Sequence, residues 1–277
     1  MRSLNLNIDG MSMYYNRLER VPENFNSRHC HDKYEILYVI DGRGKYIVEG
    51  VEYDISPRTL MIFPPLTYHH TYVEADTSYE RVVLYFGDEH VAECARAALT
   101  RLADYACGDG AFYSAGTLSD AAIAVFDRFE LIPSLPEAER ASFFKLLISE
   151  LLLLLSATAD SERTVDDGEL GARVIRYLNE NIDKAISLDM LAKRFFVSKY
   201  YLCRAFKRHN GISVHGYVNQ KRVMHAKQLI EMGETASGAA YRVGFGDYSA
   251  FYRAYVKLLG VAPTMTAERS ADGISDT

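Results

Sequence analysis

The sequence predicts an α+β protein with an N-terminal antiparallel β-barrel and flanking helices, followed by an all-α domain. Between residues 26 and 86, short apolar segments alternate with turn residues, which is the pattern of a small barrel or sandwich. Between residues 188 and 260, a two-helix pattern occurs twice at a fixed offset, as expected of one module used twice. Charge divides the chain in the same way: residues 1–169 have a net charge of −13, and residues 170–270 have one of +9.

The predicted strands lie in the segment that ends near Phe86. The turn residues Asp41-Gly42, Gly50 and Pro64-Pro65 interrupt its apolar stretches, and such residues favour tight turns between strands. We expect strands over residues 34–40, 46–48, 60–63 and 81–86.

Three helices are predicted after the barrel, near residues 89–106, 117–132 and 137–156. The last is apolar on almost every side, which indicates either deep burial or pairing with a partner. Core packing and a homodimer contact both remain open for its apolar residues, which are Leu146, Leu147, Ile148, Leu151, Leu152, Leu154 and Leu155.

Ser, Thr, Asp and Glu crowd the non-periodic stretch from residue 157 to residue 168. This composition predicts a linker between an N-terminal domain, residues 1–156, and a C-terminal domain, residues 169–277.

The repeated module is a helix–turn–helix. In the first copy, Ser198 is placed to cap the second helix and Gly211 to end it; Asp247 and Gly260 stand 49 residues further on. At about 100° per residue, the buried face of that helix is predicted to hold Tyr201, Leu202, Ala205 and Phe206. The opposite, exposed stripe holds Lys199, Tyr200, Cys203, Arg204 and Lys207.

An exposed stripe of cations and hydrogen-bonding groups on a short helix fits the major groove of DNA. An ordinary helical hairpin with a solvated charged face is the alternative, and the repeat favours the first interpretation. The apolar period from residue 217 to residue 230 predicts a connecting helix of roughly 25 Å at 1.5 Å per residue. Such a helix could hold the two exposed stripes about one DNA turn, on the order of 34 Å, apart.

Residues from about 170 to 265 resemble the DNA-binding domain of the AraC/XylS family of bacterial transcription regulators. The resemblance is carried by the first module, by Arg222, Ala226 and Leu229 between the modules, and by a signature in the second module. That signature is Gly244-Phe245, Asp247, Ser249, Phe251, Arg253, Gly260 and Pro263.

The resemblance implies a sequence-specific regulator that binds double-stranded promoter DNA. It would direct Tyr200, Cys203 and Arg204 toward base edges. Lys199 and Lys207 would contact phosphates. In the second module, the corresponding residues are Tyr248, Ser249 and Arg253.

The second module departs from the family pattern. Ala236 and Ala239 replace large aliphatic residues, and Gly238 costs its helix about 1 kcal/mol relative to alanine. Val256 stands in place of a lysine, and Met265-Thr266 stands in place of an aromatic residue and an arginine. We therefore expect the first module to contribute more to DNA binding than the second.

The predicted barrel contains a second motif. The spacing of its histidines and Glu35 resembles the first cupin motif, and Pro64-Pro65 with His69 resembles part of the second. Arg58-Thr59 departs from that second motif. We expect no resident cofactor or metal; a divalent metal, if bound, would use the cluster His29, His31, Glu35 and His69.

Several tyrosines of the barrel offer flat amphipathic surfaces suited to a small polar molecule. We therefore interpret the barrel as a sensor for a small-molecule effector, with a carbohydrate as one candidate. The expected ligand contacts are His31, Glu35, Tyr38, Arg43 and His69. His70 has the opposite strand parity, and we expect it to face solvent or pack against a helix.

The four cysteines are scattered without metal-type pairing, which favours reduced thiols and a cytoplasmic protein. The start of the sequence lacks a signal-peptide pattern, and the leucine run is shorter than the ~20 apolar residues of a membrane span.

These observations predict a ligand-responsive transcriptional activator that is homodimeric, binds promoter DNA and contacts RNA polymerase. A cupin metalloenzyme that acts on a small polar substrate is the alternative, because its metal ligands would be the same histidines and Glu35.

Overall fold

The structure, a computed structural model, describes residues 4–22, 28–103, 111–158 and 170–266. These residues divide into two compact units. The first contains most of the described residues up to Thr158; the second contains those from Leu170 onward, together with the short segments His29–Asp32 and Ile47–Val51. The predicted linker lies mostly outside the described residues.

The first unit is built on antiparallel strands. Among the described residues these are β1 (Asn5–Ile8), β2 (Met11–Leu18), β3 (Arg28–His29), β4 (Tyr34–Asp41), β5 (Gly44–Val48), β6 (Val51–Ile55), β7 (Thr59–Phe63), β8 (His69–Val73), β9 (Tyr79–Phe86) and β10 (Ala111–Tyr113). They form a six-stranded sheet, β1-β2-β9-β4-β7-β10, and a four-stranded sheet, β3-β8-β5-β6. The predicted strands are confirmed. The prediction missed β1, β2, β3, β6, β8 and β10, whose segments carry polar residues or are very short.

The two faces of the large sheet have different roles because side chains alternate along each strand. In β4, Ile36 and Tyr38 belong to the apolar core shared with the helices, as do Val82 and Leu84 of β9. Glu35, which precedes Ile36 and has the opposite parity, points to the other face. It lies across from Phe63 and Tyr85. That second face positions the polar cluster described below.

Among the described residues, three helices pack on the first face: α1 (Glu93–Ala103), α2 (Asp120–Arg128) and α3 (Glu137–Ala157). The predicted helix near 117–132 begins at its Ser119 cap and continues after α2 as a 3-10 helix, Phe129–Ser134. A separate 3-10 helix, Asp88–His90, precedes α1, so the helix predicted from residue 89 starts later than expected.

Core packing explains most of the leucine-rich segment of α3. Leu147, Leu151 and Leu155 are fully buried in the core beneath the sheet. Leu146 and Leu153, one heptad apart, remain 57% and 43% exposed. Within the described residues, no helix combines the length and apolarity that crossing a lipid bilayer requires.

The second unit is helical from Leu170 onward. Its helices are α4 (Leu170–Glu180), α5 (Leu188–Arg194), α6 (Lys199–Asn210), α7 (Val214–Glu231), α8 (Ala236–Arg242) and α9 (Tyr248–Leu259). The helix pairs α5–α6 and α8–α9 are the two predicted helix–turn–helix modules, and α7 connects them.

Candidate nucleic-acid interface and effector site

The second helices of the two modules, α6 and α9, are equivalent in length and in both caps. Each has 12 residues. The Ser198 hydroxyl accepts a hydrogen bond from the Tyr201 amide at 3.2 Å, and the Asp247 carboxylate accepts one from the Ala250 amide at 2.9 Å. An N-cap side chain therefore fixes the first residue of both helices.

Both helices also end in the same way. Gly211 and Gly260 adopt left-handed conformations with φ of 68° and 72°, which glycine tolerates without steric cost. Their amides donate to the carbonyl oxygens of Lys207 and Val256, at 2.8 and 2.9 Å. The predicted cap and terminator of the module are confirmed in both copies.

The predicted DNA-contacting residues of α6 lie on its solvent side. Tyr200 is 75% exposed, Lys199, Arg204 and Lys207 are exposed, and Cys203 is half-buried. Lys199 forms an ion pair with Asp189 of α5 at 2.9 Å, between two largely exposed side chains. Such a pair contributes little to stability.

The buried face of α6 differs from the prediction at one residue. Leu202 and Phe206 are fully buried and Ala205 is buried, but Tyr201 is 52% exposed. Tyr201 lies at the edge of the apolar stripe, so its ring projects into solvent. It extends the exposed surface of the helix beyond the predicted residues.

In α9, Ser249 and Arg253 are exposed, and Tyr248 is half-buried. The Tyr248 ring packs against Phe251 and Tyr252, with ring centroids 5.7 and 6.4 Å apart, so part of it serves the core of the module. Ser249 and Arg253 therefore present the more accessible polar groups.

The second module has a complete core despite its small residues. Ala239 and Ala240 of α8 are fully buried against Val243, and the Tyr255 hydroxyl lies 2.7 Å from the Thr266 hydroxyl. Thr266, where the family pattern has another residue, thus joins α9 to the end of the described chain.

The structure brings together three of the predicted polar contacts. Single ligand atoms of His31, Glu35 and His69 all lie within 4.8 Å of one another. His69 Nε2 is 3.1 Å from Glu35 Oε2, and both side chains are buried. On the other side of its ring, His69 Nδ1 lies 3.0 Å from the Thr67 carbonyl oxygen.

That last contact determines the tautomer of His69. A carbonyl oxygen only accepts hydrogen bonds, so Nδ1 must carry a proton and donate. Nε2 then faces the Glu35 carboxylate. Backbone hydrogen bonding of the distal nitrogen is also the usual support of a metal-ligating histidine.

The other predicted contacts lie elsewhere. Tyr38 stacks on Phe126 with ring centroids 4.9 Å apart, on the helix side of the sheet. Tyr38 and Glu35 therefore lie on opposite faces of β4, because residues an odd number apart on a strand face opposite ways, and Tyr38 does not join the polar cluster. Arg43 is exposed, and the side chain of His29 lies outside the described residues.

His70 is also buried rather than solvent-facing. Its side chain is fully inaccessible, and its ring centroid lies 5.3 Å from that of Tyr72 and 6.1 Å from that of Tyr68.

Sequence reasoning missed Arg81 and Tyr79, which lie on the polar face of the large sheet. Arg81 Nη1 donates to the hydroxyls of Tyr46 and Tyr79, at 3.4 and 3.3 Å, and those hydroxyls are 2.9 Å apart. Burial and the adjacent Tyr79 raise the pKa of Tyr46 well above its usual value. The shared parity of Tyr79, Arg81 and Tyr85 on β9 was the available signal.

Comparison with known proteins agrees with this geometry. Residues 18–156 match the family model described as AraC-like ligand binding domain, and residues 191–269 match the model described as helix-turn-helix domain. The chain belongs to the AraC family of transcription regulators.

Similar curated proteins include the HTH-type transcriptional activator RhaS of Escherichia fergusonii, 24% identical over 249 residues that cover 88% of each chain. The uncharacterized HTH-type transcriptional regulator YbfI of Bacillus subtilis is 26% identical over 233 residues, 80% of this chain and 79% of that protein. Among solved structures, ToxT of Vibrio cholerae aligns over 95% of this chain and 99% of its own, with 17% identity and a TM-score of 0.40.

This AraC-family chain is a ligand-responsive transcription regulator. The alternative interpretation as a cupin metalloenzyme was wrong, because the matched families and relatives are regulators and not enzymes.

Proposed function

We propose that this AraC-family regulator activates transcription by inserting α6 and α9 into two successive major-groove segments of promoter DNA. The supporting observation is the equivalence of the two helices: each is capped and ended in the same way, and each presents an exposed arginine, Arg204 or Arg253. In this proposal Tyr200, Cys203 and Arg204 contact base edges, and Lys199 and Lys207 contact phosphates. Tyr248, Ser249 and Arg253 contribute the contacts of the second module.

The charge of the C-terminal residues supports this mode of binding. Residues 170–270 have a net charge of +9 in a chain whose net charge is −6. Neutralising phosphates releases condensed counterions, so affinity should fall steeply as salt rises.

A duplex selected by the full-length protein from a random pool provides the test. Gel shifts at increasing salt should give a log–log slope of several units, and run-off transcription with RNA polymerase should increase when the protein is added. A failure to select any duplex would contradict DNA reading, whereas reduced transcription would contradict activation alone. Activation is proposed because the relative RhaS is named an activator.

The effector is proposed to bind at the polar face of the N-terminal sheets, with His31, Glu35 and His69 as direct contacts. A carboxylate, an imidazole and the nearby hydroxyls of Tyr46 and Tyr79 suit a small polyol such as a sugar. Arg43 would contribute only at the periphery. Tyr38, which faces the helices, would act only through its packing on Phe126.

A thermal-shift screen tests this assignment. A sugar present at 100 times its dissociation constant should stabilise the fold by about 2.7 kcal/mol, and Glu35→Gln should abolish that shift. A sugar shift that persists unchanged in Glu35→Gln would contradict the contact.

The same three side chains also fit a transition-metal cation, since imidazole and carboxylate are common ligands of such ions. The proposed occupant is nevertheless the effector, and the purified protein should contain less than stoichiometric metal. Elemental analysis before and after treatment with a chelator measures this. One zinc, copper, nickel or iron ion per chain that the chelator removes would contradict the proposal.

A homodimer is proposed through the exposed stripe of α3, which comprises Leu146 and Leu153. Both leucines are more than two-fifths exposed on a helix whose other leucines are mostly buried, so a partner helix would cover apolar surface.

A further inference from the structure

Arg222 of α7 contacts three backbone carbonyl groups at once. Its Nε donates to the Ile182 oxygen at 2.7 Å, Nη2 to the Lys184 oxygen at 2.6 Å and Nη1 to the Gly244 oxygen at 2.7 Å. The residue is 9% exposed. Burial lowers its pKa from the usual value, but an arginine side chain remains charged in proteins.

These carbonyl groups come from two different parts of the DNA-binding unit. Ile182 and Lys184 lie in the connection between α4 and α5, directly before the first module. Gly244 lies in the turn of the second module, between α8 and α9. A single guanidinium therefore links the two modules through the helix that connects them.

The same two backbone segments also approach each other closely. A β-carbon at Gly244 would lie 2.4 Å from the Asp183 carbonyl oxygen and 2.9 Å from Arg222 Nη2, and Gly244 has a φ of +93°. Only glycine fits this conformation and this contact without displacement. The turn of the second module is thus held against the entrance of the first.

We propose that Arg222 is a positioning residue that fixes the spacing of α6 and α9 along DNA. Charge-assisted hydrogen bonds from a planar guanidinium fix the orientation of the groups they join as well as the distance between them. The carbonyl partners of Arg222 belong to segments that lead directly into the helices of each module. Arg222 is buried among backbone groups, so this role is separate from contact with bases. The inference rests on the proposed reading of two successive groove segments.

Arg222→Lys is the main variant, because it keeps the charge but loses the forked geometry. Gly244→Ala serves as a second variant. Its β-carbon would clash with the Asp183 carbonyl oxygen and displace the same turn. Val223→Ala is the matched control. Val223 is the neighbouring residue of α7 and is fully buried in the second-module core, so its truncation lowers stability without removing any of the three bonds.

The experiment uses full-length protein and the duplex that the wild type selects from a random pool. Footprinting identifies the two segments of this duplex that the wild type protects. In two derivatives of the duplex, one base pair is inserted or deleted between these segments, which shifts the second segment by about 3.4 Å and rotates it by about 34°. The wild type should bind both derivatives about tenfold more weakly or worse, the equivalent of one lost base contact. Arg222→Lys and Gly244→Ala should bind all three duplexes within about threefold of one another.

Val223→Ala should melt at a lower temperature but keep the wild-type preference for spacing. If Arg222→Lys also keeps that preference, or if Val223→Ala loses it to the same extent, the positioning role is overturned. A wild-type footprint with a single protected segment would instead overturn the proposed two-groove reading, so the two failures are distinguishable.

Discussion

Arg204 and Arg253 occupy equivalent positions on α6 and α9, and both are exposed. We expect Arg204→Ala to weaken operator binding by about 1–3 kcal/mol, the range for a lost base contact, and Arg253→Ala to weaken it less. The reason is the larger number of accessible polar groups on α6, whereas Tyr248 of α9 is partly used in packing. Titration of both variants on one selected duplex measures the difference.

The control for this comparison is Arg96→Ala, which removes one exposed positive charge from α1 in the other unit. Its affinity should stay near that of the wild type. Equal losses for Arg204→Ala and Arg253→Ala would contradict the dominance of the first module.

The rate at which each cysteine thiol is modified measures how accessible that residue is to solvent. Cys94 is exposed, Cys203 is intermediate, and Cys30 is buried; burial raises the pKa of Cys30 to about 12. Because the thiolate is the reactive form, N-ethylmaleimide should modify Cys94 quickly and Cys30 very slowly. Bound operator DNA should slow the modification of Cys203 and leave that of Cys94 unchanged, as followed by peptide mass spectrometry. A Cys203 rate that does not respond to DNA would place this residue outside the interface.

Residue-level predictions from sequence succeeded where a local rule applies. Ser198 and Gly211 were identifiable because caps and left-handed terminators have strong residue preferences. Tyr38 proved to face the helices, because the sequence alone did not show which tyrosines of the strands share the face of Glu35. Arg81 was missed because one of its partners, Tyr46, lies on β5, far from β9 in sequence, and only the fold brings the two side chains together.

At the scale of single elements, the caps of α6 and α9 carry a direct stability prediction. Ser198→Ala and Asp247→Ala each remove the side chain that accepts a hydrogen bond from the first turn, and each should lower the free energy of unfolding by about 1 kcal/mol. Urea denaturation monitored by far-ultraviolet circular dichroism measures the loss. Asp247→Ser, which preserves a capping oxygen, should recover most of it; no recovery would mean that the Asp247 cap is not the cause.

The strands and helices themselves were predictable to different extents. Long periodic segments such as α3 and α6 were found with boundaries close to those observed. β1 and β2 were not, because their alternation is weak. β1 pairs with β2, and β2 pairs with β9, which sequence alone does not reveal. The register between β4, β7 and β9, which brings Glu35 beside Phe63 and Tyr85, was likewise beyond a single-sequence pattern.

At the scale of the whole molecule, the exposed leucines of α3 predict the oligomeric state. The double substitution Leu146→Lys with Leu153→Lys should convert a dimer into a monomer, because two charges cannot be buried unpaired in an apolar contact. Light scattering coupled to size exclusion measures the mass. Leu131→Lys, at a 51% exposed leucine outside α3, should remain dimeric; a monomeric wild type would contradict the proposal.

The division into a sensing part and a DNA-binding part was predictable because charge, periodicity and an internal repeat all change near the same place in the sequence. The geometric link between the two modules was not predictable from the sequence. Arg222 was visible as part of a family pattern, but its three carbonyl partners are contributed by segments far apart in sequence.

Dimethyl sulfate interference on the selected duplex tests the two-groove reading most directly, because methylation at guanine N7 blocks contacts in the major groove. We predict two groups of interfering guanines for each α6–α9 pair, on one face of the duplex and about 10 base pairs apart. A single group of interfering guanines, or two groups on opposite faces of the duplex, would contradict the account.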